Sequence, residues 1–129
     1  MSGSDPPTVA VVDDDEAVRD ALSNLLASLD LGVAAFASAE DFLASSARHV
    51  AACLITDLQM PGMSGLDLQR QLACSGSRIP VILITAFPLE HLRRQAEEQG
   101  AAGFFAKPFD GRLMIECIER ALGEKGKHA

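Results

Sequence analysis

Five short apolar runs recur along this chain, each followed by a stretch with helical periodicity, and that alternation leaves few folds open. The runs are Thr8–Val12, Gly32–Phe36, Cys53–Thr56, Val81–Thr85 and Gly103–Ala106. None approaches the roughly 20 residues that cross a bilayer. They are apolar at consecutive positions, as strands buried on both faces are.

The stretches between them read as helices. From Glu16 to Leu29 the apolar residues Val18, Ala21, Leu22, Leu25, Leu26 and Leu29 step by three and four, one stripe of a helix. Ser38, with Asp41 three residues on, opens a second helix through Phe42 and Leu43. Ser64 is placed to cap a third, through Leu66, Leu68 and Leu72. Leu89–Gln99 reads as a fourth, with Gly100 where a stop belongs. Asp110 caps a fifth, whose inward stripe is Leu113, Met114, Ile115, Ile118, Ala121 and Leu122. Such a pattern implies an α/β fold, with a parallel sheet covered by helices on both sides and right-handed crossovers.

The 129 residues suffice for one domain, and 48% hydrophobic content suffices for a core. The domain is expected to span 8–122. Residues 1–7 and 123–129, rich in Gly, Ser, Pro and Lys, are expected to be a disordered N-terminal tail and a C-terminal tail or the start of a linker. The N-terminus lacks the apolar core of a secretory signal, so a cytoplasmic chain with no membrane contact is expected. A net charge of −7 argues against direct nucleic-acid binding by this domain. Cys53, Cys74 and Cys117 form no CxxC pair, and His49, His91 and His128 are scattered, so neither type builds a metal motif.

In an open parallel sheet the ligand site lies beyond the carboxyl ends of the strands. The first strand ends in Asp13-Asp14-Asp15-Glu16, the third in Asp57, the fourth in Thr85-Ala86 and the fifth in Lys107-Pro108. Taken singly, each has a plainer explanation: Asp15 or Glu16 as a helix cap, Asp57 as a turn former, Thr85 as a strand residue, Lys107 as a surface charge. Together, at one edge of one sheet, they suggest chemistry. Crowded carboxylates raise one another's pKa, and a hard divalent cation relieves the repulsion. Magnesium takes one or two carboxylates and leaves room for phosphate oxygens. Lys107 can offset remaining charge, Thr85 can donate to a phosphoryl oxygen, and a carboxylate nucleophile gives an acyl phosphate.

The segments Val11-Val12-Asp13-Asp14-Asp15, Thr56-Asp57-Leu58-Gln59-Met60-Pro61-Gly62-Met63-Ser64-Gly65, Ile84-Thr85-Ala86 and Phe105-Ala106-Lys107-Pro108-Phe109 resemble the receiver domains of two-component response regulators. With Ser38-Ala39-Glu40-Asp41-Phe42-Leu43 they resemble the FixJ-like branch, whose members usually carry a DNA-binding domain after the receiver. The likeness runs from about Thr8 to Leu122. It implies a flavodoxin-like doubly wound (βα)5 sandwich, with a five-stranded parallel sheet in the order 2-1-3-4-5.

The resemblance also implies roles. Asp57 matches the phosphoacceptor. Asp14 and Asp57 match direct ligands of Mg2+ (or Mn2+), the backbone carbonyl of Gln59 a third, and Asp13 a ligand through water. Thr85 and Lys107 match the phosphoryl contacts, Thr85 and Phe104 the switch pair, and the Lys107–Pro108 peptide is expected to be cis. Phe87 and Gln59 match modulators of phosphoryl lifetime: a bulky Phe87 is expected to slow hydrolysis, against the alternative of a loop aromatic packed elsewhere. The implied partner is a sensor histidine kinase, and the domain catalyses its own phosphorylation and dephosphorylation without being an enzyme in the turnover sense. The face of the fourth helix, fifth strand and fifth helix is expected to mediate homodimerisation or output contact, with His91, Arg93 and Glu116 exposed on it. The output is expected to be transcription, with a stand-alone receiver or phosphorelay protein as the alternative. Two rival classes remain. A haloacid-dehalogenase-type phosphatase would want an acid where Gln59 stands; a passive cation-binding module would take no phosphoryl group.

Overall fold

The computed structural model describes residues 6–126, with side chains to Gly123. Its order is β1 (Thr8–Val12), α1 (Glu16–Ser28), β2 (Gly32–Phe36), α2 (Ala39–Ala44), α3 (Ala47–Val50), β3 (Cys53–Asp57), α4 (Gly65–Cys74), β4 (Val81–Thr85), α5 (Glu90–Glu98), β5 (Gly103–Ala106) and α6 (Gly111–Gly126). The strands form one sheet in the order β2-β1-β3-β4-β5, every pair parallel. This is the expected doubly wound architecture.

Four of the six helices start where a side chain supplies an acceptor for their free N–H groups, whereas α3 and α5 have no side-chain cap. Asp15 accepts from Ala17 N, Ser38 from Asp41 N, and Ser64 from Asp67 N. Asp110 accepts from Arg112 N and Leu113 N. Caps of this kind each contribute about 1 kcal/mol.

Period-two alternation sends successive strand residues to opposite faces. Val9, Val11, Cys53, Ile55, Ile82 and Ile84 pack with Leu22 and Leu26 of α1 and Met114 and Ile118 of α6. Ala10, Val12, Leu54, Val81 and Leu83 pack with Phe42 of α2, Leu68 and Leu72 of α4 and Ala96 of α5.

Three features differ from the sequence reading. Leu113, read as part of the inward stripe of the last helix, is 51% exposed, because the seam that helix buries is Met114, Cys117, Ile118 and Ala121. A one-turn helix, α3, stands between α2 and β3; four residues carry no periodicity to detect. The last helix continues past Leu122 to Gly126. A Cβ added at Gly123 would meet nothing within 4 Å, so Gly123 faces open space, and one glycine costs a helix only about 1 kcal/mol. Residues 1–5 and 127–129, the remainder of the two expected tails, lie outside the described residues.

Candidate active site

The strand order reverses direction between β1 and β3, since β2 lies on one side of β1 and β3 on the other. The crevice at such a switch point is where open α/β sheets bind ligands. Val12 pairs with Thr56, so Asp13 and Asp57, one residue further on, emerge side by side. Asp57 pairs with Ile84 and Thr85 with Ala106, which brings Thr85 and Lys107 to the same edge. Alternation then sorts them. Asp13 and Asp57 continue the series facing α1 and α6, and Lys107 continues that of Phe105, which packs on the same side. Phe104 packs on the opposite layer, and Thr85 continues the series of Leu83 on that layer.

Asp13 is 0% exposed, and three of its four polar atoms are held by hydrogen bonds. Its N–H donates to Phe36 O at 3.1 Å, and its carbonyl accepts from Arg19 Nη1 at 2.8 Å. Oδ1 accepts from Asp15 N at 2.9 Å. Oδ2 faces the Lys107 ammonium at 3.0 Å but has no donor in hydrogen-bonding geometry. Asp57, 5% exposed, has Lys107 Nζ 3.5 Å from Oδ2 and the Gln59 N–H 3.5 Å from Oδ1. Burial, and then the Asp13 charge, push the Asp57 carboxyl above its ordinary range, with Lys107 and the Gln59 N–H acting against them. Burial alone would lower the Lys107 pKa; Asp13 and then Asp57 outweigh it, and the ammonium is held above its ordinary value.

Asp13, Asp14 and Asp57 each offer an oxygen, and the three oxygens lie within 4.8 Å of one another. Asp14 is exposed while the other two are buried, so the cluster opens to solvent on one side. An all-oxygen donor set, with excess negative charge and a buried carboxylate oxygen short of donors, fits a hard divalent cation.

Thr85 is buried, and its Oγ1 accepts from Phe87 N at 3.0 Å. Phe104 is half-buried, with the Arg93 guanidinium 5.0 Å above its ring. Arg93, expected to be exposed on this face, is therefore half-buried in a cation–π contact; His91 and Glu116 are exposed. Phe87 is 63% exposed at the loop after β4, so its ring is not packed into the body. Gln59 begins an exposed loop. The Lys107–Pro108 peptide is cis. A cleft of about 760 Å³ at the other end of the sheet, lined by Gln69, Arg78, Gln99 and Arg120, contains none of these residues. The contacts of Arg19 with the Asp13 carbonyl, of Arg93 with Phe104 and of the Glu40 carboxylate with Met63 N were not read from the sequence. Each joins residues with no local spacing signal in the sequence.

Residues 9–119 match the family described as the response regulator receiver domain. The chain is 43% identical over 114 residues to the response regulator protein TodT of Pseudomonas putida, covering 88% of this chain and 50% of that protein. It is 39% identical over 119 residues to the transcriptional regulatory protein FixJ of Azorhizobium caulinodans, covering 92% and 56%. The chain thus spans about half the length of these curated relatives. Among solved structures, the crystal structure of FixJ-N superposes with a TM-score of 0.81 at 39% identity, covering 95% of each chain. No helix among the described residues is long and apolar enough to cross a membrane.

Proposed function

The chain belongs to the response regulator receiver family, and on that premise we propose that Asp57 accepts a phosphoryl group from the phosphohistidine of a sensor kinase. The observation that carries this reading is a single ammonium, Lys107, set between two buried carboxylates beside an open third.

Asp13, Asp14 and Asp57, with the Gln59 carbonyl, would hold Mg2+ or Mn2+, which when bound would neutralise phosphoryl oxygens and align the donor. An Asp57 carboxylate oxygen attacks phosphorus in line. The P–N bond of the donor breaks, its imidazole nitrogen keeps the electron pair and takes a proton from solvent, and an acyl phosphate remains. Lys107 then faces the new dianion as well as Asp13. The Thr85 hydroxyl, already accepting from Phe87 N, has its own proton to donate to a phosphoryl oxygen. Movement of Thr85 toward that oxygen opens space on the face it shares with Phe104, and the two-state element biased is the α5–β5–α6 face. Leu113 on α6, 51% exposed, supports this face as the site of homodimer or output contact. The names of the relatives support transcription as the output. Three free thiols suit the reducing cytoplasm.

The test is mass spectrometry after incubation with acetyl phosphate and magnesium. The wild-type chain is expected to gain one phosphoryl group, and Asp57→Ala none. Equal labelling of both would sink the assignment. No labelling of either would favour a passive cation-binding module.

A further inference from the structure

The loop between β3 and α4 carries the residues that follow the acceptor, and it is closed at its neck. Gly65 N donates to Leu58 O at 2.9 Å, and Gly65 lies against the Asp57 carbonyl oxygen, where a Cβ would collide. The loop's first amide, Gln59 N, is the one facing Asp57 Oδ1. A shift of the loop is therefore felt at the carboxylate.

Its far side is tied by a residue from a different helix. Met63 N donates to Glu40 Oε2 at 3.0 Å. The backbone approaches closely there because Gly62 has φ +80° and no side chain; a Cβ on it would stand 2.7 Å from the same Oε2. Glu40 lies in the first turn of α2, where Ser38 already serves as N-cap by accepting from Asp41 N. The Glu40 carboxylate is thus available to a partner outside its own helix, and its charge strengthens the bond it accepts.

We propose that Glu40 is a positioning residue for the phosphoryl-transfer site, a strap from α2 that holds the β3–α4 loop, and with it the Gln59 end of the loop, against Asp57. This rests on the reading of Asp57 as phosphoacceptor. Glu40 touches no reacting atom in this scheme; it acts through Met63 and the loop backbone.

The test compares wild type, Glu40→Ala and Glu40→Gln by amide hydrogen exchange at Met63 and by the rate of phosphoryl uptake from acetyl phosphate with saturating magnesium. Glu40→Ala is expected to speed Met63 exchange about fivefold while leaving Phe42 exchange unchanged, and to slow uptake by up to the same factor. Glu40→Gln, whose amide oxygen can still accept from Met63 N, is expected to restore most of both. Equal Met63 exchange in wild type and Glu40→Ala would overturn the strap. Faster exchange with wild-type uptake would overturn its positioning role. Absence of uptake by wild type would instead overturn the phosphoacceptor reading, with the exchange comparison still deciding whether the strap exists.

Discussion

Lys107 and Asp13 are joined by Nζ and Oδ2 at 3.0 Å, although Lys107 follows β5 and Asp13 follows β1. In the sheet order β2-β1-β3-β4-β5 that side chain crosses the ends of β4 and β3. On the way it lies 3.5 Å from Asp57, the more distant of its two carboxylates. The ammonium that would receive the phosphoryl charge is thus already committed to a wholly buried acid.

Removal of this cation leaves two buried carboxylates facing each other. Lys107→Met is expected to lower stability at pH 7 by about 2 kcal/mol in metal-free buffer, measured by urea unfolding. An unchanged midpoint would show that the two acids do not need the ammonium.

Asp57 gives a pH dependence of definite sign. Its carboxyl is raised above 3.8, so between that value and its folded pKa the folded chain binds more protons than the unfolded one. Its contribution to stability therefore falls as pH rises through that window. Lys107, raised above 10.5, contributes stability below that pH and loses it only in the alkaline range. Asp57→Asn is expected to be more stable than wild type at pH 7 without metal, by about 1 kcal/mol. The gain should shrink to nothing toward pH 4 and below. A gain that grew on acidification would contradict this.

The thiols should separate by burial. Burial, followed by the neighbouring Cys117, pushes Cys53 up to about 12, and burial raises Cys117 as well. Cys74 is exposed. Alkylation of the native chain at pH 8, followed by mass spectrometry, is expected to label Cys74 quickly and the other two only after unfolding. Rapid native labelling of Cys53 would place it outside the core.

Gly65 closes the neck of the acceptor loop. A Cβ there would enter the Asp57 carbonyl oxygen and lie 3.0 Å from Leu58 Cα and Leu83 Cδ2. Gly65→Ala is expected to cost about 2 kcal/mol, read by thermal unfolding, and to slow phosphoryl uptake. Wild-type values for both would mean that α4 can retreat freely.

Phe87, exposed beside Thr85, tests control of phosphoryl lifetime. If its ring shields the acyl phosphate from water, Phe87→Ala shortens the half-life severalfold, followed by loss of the labelled mass over time. An equal half-life in the two proteins would remove Phe87 from that role.

The sequence by itself determined the local structure. Apolar runs and three-to-four spacing placed all five strands and most helix starts, because hydrogen bonding to a cap and burial of a stripe are decided within a few residues. It also placed Asp13, Asp14, Asp57, Thr85 and Lys107 at strand ends, since a strand stops where its apolar run stops. Only the tertiary structure decided which of these residues meet. The register of β1 on β3 and of β4 on β5 sets Asp13 beside Asp57 and Thr85 level with Ala106. The parity of each strand then divides the Asp57 and Lys107 side from the Thr85 and Phe104 side. The contacts of Arg19 with the Asp13 carbonyl, Glu40 with Met63 and Arg93 with Phe104 depend on how helices settle on the sheet. That settling is the joint result of packing many side chains, and no short segment of the chain contains it.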